Sequence, residues 1–388
     1  MTRREALRDT GGPLAATRVV ELGGIGPGPF CAMLLADHGA DVIRVDRPEE
    51  AGTETLHPVL HRGRRSVTID LKRPAGVDVV LGLIAGADVL VEGFRPGVTE
   101  RLGLGPDACL ARNPSLVYGR MTGWGQDGPL AQEAGHDIDY IALAGALGAI
   151  GPGDGDPVVP LNLVGDMGGG GLLLAFGIVT ALLHARATGQ GQVVDAAMTD
   201  GTAVQLAGIL GLLARGEWTD RRGSNVLDGA APFYRTYRCA DGRYVAVGCL
   251  EPQFYAELLR VLELSDEPLF AGQYDRSAWP AMAERLAAIF QRAPRDEWAS
   301  LFAGRDTCVA PVLSLGEAAA HPHNVARGTY AVDDNGAIQP CAAPRFLGTP
   351  TRASRLAPIF GADTDEVLAE LGLDDAAVAG LRSSGVVA

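Results

Sequence analysis

An α/β fold, with a doubly wound parallel sheet in a large first domain and a smaller α+β domain after it, is predicted by three observations. Short β-branched runs alternate with helical periodicities from Thr17 to about Ala214, the pattern of repeated βαβ units. The texture then changes at Arg215–Gly229, a stretch rich in Gly, Asp, Arg and Asn that reads as a connection. Beyond it, Ala240-Asp241-Gly242 lies between two apolar runs, a hairpin signal because Gly supplies positive φ in the turn.

Taken in order, Thr17–Leu22 reads as a strand, Pro29–Asp37 as a helix and Asp41–Asp46 as a second strand, one βαβ unit. Ser66–Asp70, a helix from about Val77, Asp88–Glu92, a short helix near Glu100 and Leu116–Met121 continue the alternation. A helix around Ile138–Ala149, an apolar helix after Asp166, a strand at Gln192–Ala196 and a helix from about Asp200 complete the first region. In the second region Phe233–Arg238 and Tyr244–Val247 flank the turn; helical patterns follow at Gln253–Leu262, Trp279–Gln291 and Glu297–Phe302, then an apolar stretch at Val309–Leu315. The expected division is therefore a large domain over residues 1–214, a linker over 215–229, a small α+β domain over 230–326 and a C-terminal segment, 327–388, returning to the large domain with an acidic helix near Asp363–Leu373.

The 388 residues carry 33 basic and 47 acidic side chains, a formal charge of −14. Such a surface repels phosphate backbones and anionic lipid, so neither nucleic acid nor a membrane is an expected partner, although a local basic pocket could still hold a phosphorylated small molecule. Six cysteines without a C-x-x-C pair read as free thiols of a reducing, cytoplasmic protein. The N-terminal stretch has no apolar core that would make it a signal peptide, and Ser-Gly-Val-Val-Ala at the other end is no peroxisomal address. Met167–Ala185 is uncharged and apolar, and is read as a buried core helix rather than a membrane span.

Several motifs point to chemistries they cannot complete. Gly24-Ile-Gly-Pro-Gly-Pro29 sits between strand and helix with Asp46 ending the next strand, as in a dinucleotide site, but Pro29 occupies the position that must be small and Pro27 lacks an N–H for pyrophosphate. Lys72 is the only lysine, leaving one residue for any Schiff base. No phosphate-binding G-x-x-x-x-G-K-[ST] and no G-x-S-x-G occurs. His57 and His61 have metal-like spacing, but Pro58 disturbs a helix there and no third ligand is near; a solvated loop is expected, and no metal.

Two polar islands remain. Gly135-His-Asp-Ile-Asp-Tyr140 follows a glycine-rich loop and opens a helix, and Leu163-Val-Gly-Asp166 heads the apolar helix, where glycines 168–171 remove side chains that would block a ligand. Together with Glu21-Leu-Gly-Gly-Ile-Gly-Pro-Gly-Pro29, Arg44-Val-Asp-Arg-Pro48, Leu161-Asn-Leu-Val-Gly-Asp166 and Glu251-Pro-Gln-Phe-Tyr255, they resemble the α-methylacyl-CoA racemases of the family III CoA-transferase superfamily, from about Leu14 to Phe346.

The resemblance implies an interlinked homodimer, each subunit having a Rossmann-like large domain and a small domain, with active sites between the large domain of one and the small domain of the other. It implies racemisation of 2-methyl-branched acyl-CoA thioesters with no cofactor beyond the CoA of the substrate. His136 and Asp166 would be the two bases, one on each face of the α-carbon, exchanging roles with direction. The histidine would take the proton from the S substrate and the aspartate from the R substrate. The backbone N–H of Asp137 would meet the enolate oxygen, and Glu251 of a second copy would orient His136. Arg47 would lie by the adenine, Ile25 and Ile69, Asp70, Leu71 and Lys72 along the CoA path, Arg95 and Arg101 at the phosphates, and Gly135 and Tyr140 at the thioester. Asp139 stands where the family has Asn, an added carboxylate expected to raise the His136 pKa and shift the pH optimum if the two side chains are close. The competing reading, a family III CoA-transferase in which Asp166 forms a covalent anhydride, makes no special use of His136.

Overall fold

The computed structural model describes residues 11–332, 336–351 and 355–388. Its contacts divide the chain into two units, one of Met1–Ala144, Leu161–Gln205 and Gln339–Ala388, the other of Gly145–Pro160 and Leu206–Ile338.

The first unit is built on six parallel strands: β1 (Arg18–Leu22), β2 (Asp41–Asp46), β3 (Arg64–Thr68), β4 (Val89–Glu92), β5 (Val117–Thr122) and β6 (Gln192–Ala197), in the order β3-β2-β1-β4-β5-β6. Helices between them are α1 (Pro27–Asp37), α2 (Pro74–Ala85), α3 (Val98–Arg101), α4 (Pro106–Arg112) and α5 (Asp137–Leu143), followed by a ten-residue π-helix, Leu163–Leu172, that runs into α6 (Leu173–Thr188); α7 (Met198–Gln205) follows β6. Strands covered on both faces read as near-continuous apolar runs, and two core clusters result. Val20, Ile43, Val67 and Leu90 pack with Ile84 of α2 on one face; Val19, Val42, Val89 and Val117 pack with Leu35 of α1 and Ile178 of α6 on the other.

Strand β3 begins two residues before the expected Ser66 because its arginines are paired rather than solvated: Arg64 bonds Glu21 at 2.6 Å with 0% of its side chain exposed, and Arg65 bonds Asp41 at 2.9 Å. The chain's C-terminal end covers this edge strand. The Ser66 N–H donates to Asp363, Asp70 N–H to the Val386 carbonyl, and Ile69 bridges Val387, which removes an open edge. Pro106–Arg112 and Asp375–Ser383 are helices that the periodicity did not mark, and the helix expected at Ile138–Ala149 breaks where Gly145 adopts φ 89°.

The second unit has an antiparallel sheet of Tyr234–Arg238, Tyr244–Gly248 and Val309–Pro311, with an aromatic core of Phe233, Tyr237, Phe290 and Trp298. The break between units falls at Gln205, not near Ala214, because apolar residues continue through Ala207–Ala214 and no compositional step marks it. Residues 215–229 form packed structure rather than a loose connection. Asn225 is fully buried and bonded to Thr219, Arg221 and Asp228. The Arg222 guanidinium donates to the carbonyls of Gly148, Pro152 and Gly155 at 2.9, 3.0 and 2.6 Å, tying Gly145–Pro160, expected in the large domain, to this unit.

Candidate active site

Strand order turns at β1: β2 and β3 extend the sheet on one side, β4 to β6 on the other. Such a switch point opens a crevice outside the carboxyl ends of the strands, and a cavity of about 640 Å³ lies there, between the turn after β1 and the loop after β4. His136 and Asp166 both line it, with Ile25, Arg95, Gly135 and Tyr140.

Each base is held by its own local structure. His136 is the N-cap of α5, in extended conformation, and leaves its ring exposed. Asp139 accepts the His136 backbone N–H at 2.9 Å, so the extra carboxylate caps the helix by way of the backbone. Tyr140 donates its hydroxyl to the Gly135 carbonyl and stands edge-on to Trp124 at 4.7 Å, walling this side. Asp166 projects from the π-helix, where its Oδ2 accepts from Asn162 Nδ2 at 3.1 Å. Burial raises the Asp166 pKa, and the nearby Asp137 charge raises it further against the lowering influence of Asn162 and His136.

Glycines shape the aspartate's surroundings. Gly26, at φ 69°, turns the chain after β1 so that a Cβ there would lie 3.2 Å from Asp166 Oδ2. Glycines 169 to 171, expected to clear space for a ligand, instead let elements touch: a Cβ on Gly169 would meet the Thr202 N–H of α7 at 2.8 Å, and one on Gly171 the Pro27 carbonyl of α1 at 2.5 Å. A π-helix interior is unusual and concentrates at functional sites.

A buried ionic group underlies the cavity. Arg64 donates to Glu21, to the Leu60 and Arg62 carbonyls and to the Pro29 carbonyl, fixing the glycine turn to the sheet. Burial alone would raise the Glu21 pKa, but the Arg64 and Arg44 guanidiniums outweigh it and hold the carboxyl below its usual range. His61 belongs to this group rather than to a solvated loop. It is 5% exposed, accepts from Arg44 at 3.0 Å and meets Thr55 Oγ1 at 2.6 Å. Burial, then the charges of Arg44 and Arg64, push its pKa down to about 3. Among the described residues no group of three or more His, Cys, Asp or Glu could hold a metal ion.

The other expected residues are not gathered here. Arg47, Lys72 and Arg101 are exposed on the first unit and do not line the cavity. Ile69 is 1% exposed and part of the core, so its side chain lines no CoA path; Asp70 is held by Arg73 and the Lys72 N–H, and Leu71 packs against the same core. Glu251 is in the second unit, exposed, as the N-cap of Pro252–Val261. Sequence reasoning missed Asn162, although a polar residue four positions before an aspartate on a helix is a recognisable pair. It also missed the Asp137 carboxyl and Glu21, for which no local pattern exists.

The family model described as CoA-transferase family III matches residues 14–364. The chain belongs to this family. It is 45% identical to the mouse alpha-methylacyl-CoA racemase over 375 residues, 96% of this chain and 97% of that protein, and 44% identical to the human alpha-methylacyl-CoA racemase over the same shares. Among solved structures, a CAIB/BAIF family protein from Brucella suis superposes with a TM-score of 0.80 at 28% identity, covering 93% of this chain and 100% of that one. Within family III terms, the glycine turn, the His136 helix and the Asp166 helix form one cavity, on the unit that carries the parallel sheet.

Proposed function

We propose that this family III protein interconverts the epimers of 2-methyl-branched acyl-CoA thioesters by moving the α-proton through an enolate. The observation that carries the reading is an imidazole and a carboxyl of raised pKa on one cavity, in a chain 45% and 44% identical to two racemases. Inversion requires an acid/base group on each face of the carbon, one protonated while the other is not. From the S epimer, neutral His136 takes the proton and protonated Asp166 returns one to the opposite face; from the R epimer the roles exchange. The Asp137 N–H, which has no acceptor among the described residues, is the donor for the enolate oxygen.

Exposed Arg95 and Arg101 give an acidic chain local positive charge for the CoA phosphates, with exposed Arg47 by the adenine and Lys72 along the CoA path. CoA enters as part of the substrate, and no dissociable cofactor is needed. The active form is an interlinked homodimer in which Glu251 of the second copy orients His136. Leu172, Phe176, Val179 and Leu183 support it, an exposed apolar stripe along one helix face of the kind that a partner covers. The same segment, Leu163–Thr188, is long and apolar enough to cross a membrane, with 44% of its apolar window buried inside the protein; a subunit interface is the use favoured here. A cytoplasmic enzyme of fatty-acid metabolism, with neither membrane nor nucleic acid as partner, completes the proposal.

The test is to supply single epimers of a 2-methylacyl-CoA, with and without a free carboxylate, and to analyse the products by chiral chromatography. Epimerisation that needs no carboxylate, and that H136A abolishes, is the expected result. Transfer of CoA to the carboxylate, indifferent to H136A, would make Asp166 a nucleophile and the protein a transferase.

A further inference from the structure

Asp137 is 7% exposed, and its two carboxylate oxygens differ. Oδ1 accepts the backbone N–H of Asp166 at 2.6 Å, whereas Oδ2 is buried without a hydrogen-bond partner among the described residues. An unpartnered carboxylate oxygen costs free energy unless the site uses it. The fold makes room for this arrangement: a Cβ on Gly165 would lie 2.5 Å from Asp137 Oδ1, so only glycine permits the carboxyl to reach the π-helix backbone.

We propose that the side chain of Asp137 is a positioning residue for the second base: one oxygen fixes the backbone that carries Asp166, and the carboxyl as a whole sets a second acidic group beside it. This inference rests on the two-base reading and adds to it a role for a carboxyl that never meets substrate. A carboxylate is ordinarily too acidic to share a proton evenly with an imidazole. Burial makes Asp166 a better base, and the Asp137 charge acts in the same direction. The proton-bearing and proton-free forms of His136 and Asp166 are thereby brought closer in energy, as a reaction that must run both ways requires.

Among the described residues, few groups face Asp166. His136 and Asp137 from α5 and Asn162 from its own helix act on it, and Asp166 in turn raises Tyr140. From α7, Thr202 and Gln205 reach the π-helix without charge. Removing the Asp137 charge therefore has one main consequence, a more acidic Asp166.

The experiment is the pH dependence of kcat/KM for epimerisation, with thermal unfolding of each variant as a check on folding. Asp137→Asn keeps an oxygen for the Asp166 N–H and removes the charge. The expected result is that the acid limb of the bell moves to lower pH by about half a unit or more while the basic limb stays. Asp137→Glu keeps the charge but crowds Gly165; its rate falls and its acid limb stays within reach of the wild type. An unmoved acid limb in D137N, or a D137E limb displaced as far as that of D137N, would overturn the proposal and leave Asp137 a structural contact. If the wild-type protein itself failed to epimerise and transferred CoA instead, the two-base reading would fall first, and the inference with it.

Discussion

At the residue scale, the site depends on side chains that earn their conformation from buried partners. Arg64 serves four acceptors across three segments with none of its side chain exposed. Arg64→Ala removes the closer of the two guanidiniums that hold buried Glu21, leaving only Arg44 at 3.6 Å, and is expected to destabilise the protein by about 3–5 kcal/mol in a urea titration; a loss below about 1 kcal/mol would mean that Arg44 and water replace the lost guanidinium. His61 gives a pH signature. Its folded pKa of about 3 lies below the ordinary 6.5, so between those values the unfolded chain binds a proton that the folded one does not. Stability from this residue is full above pH 6.5 and falls as the pH drops toward 3. In H61Q the fall over that interval is expected to be shallower by about one proton's worth of slope, a difference that unfolding at several pH values would reveal or exclude. His136 and Asp166 were legible as polar residues amid glycine-rich, apolar sequence. The Asp137 carboxyl was not, because its partner is 29 positions away and nothing local marks such a contact.

At the scale of elements, the π-helix decides where Asp166 points. Glycine is required where α1 and α7 press against it, and Gly171→Ala would put a methyl group 2.5 Å from the Pro27 carbonyl and 2.8 Å from the Phe30 ring. The expected cost is about 1–3 kcal/mol of stability, with a larger loss in kcat than in KM because the base shifts while the CoA-facing surface stays. Unchanged kinetics in G171A would show that Asp166 does not depend on this packing. The strands of the parallel sheet were readable because doubly covered strands are continuous apolar runs. The π-helix was not, since an apolar segment with four glycines has no signature that separates i→i+5 from i→i+4 bonding. β3 was misplaced by two residues because buried, paired arginines look polar in sequence.

At the scale of the whole molecule, an exposed stripe at Leu172, Phe176, Val179 and Leu183 and a site whose proposed third member, Glu251, belongs to the other unit make one joint prediction. Phe176→Asp with Leu183→Asp should turn the proposed dimer into a monomer in sedimentation velocity and remove activity together with it. A monomeric wild type, or a monomeric variant with full activity, would remove the need for a second copy. The sequence could announce two regions but not their seam, because Gly145–Pro160 is claimed by one arginine, Arg222, from some seventy residues downstream. The measurement that bears most directly on the chemistry is α-proton exchange: one epimer of a 2-methylacyl-CoA in deuterated water, with the α-proton and the configuration followed together by NMR. Loss of the α-proton signal in step with approach to an equal mixture of epimers, abolished in H136A and in D166N, is the predicted result. Inversion without deuterium uptake, or no exchange at all, would contradict proton transfer between His136 and Asp166.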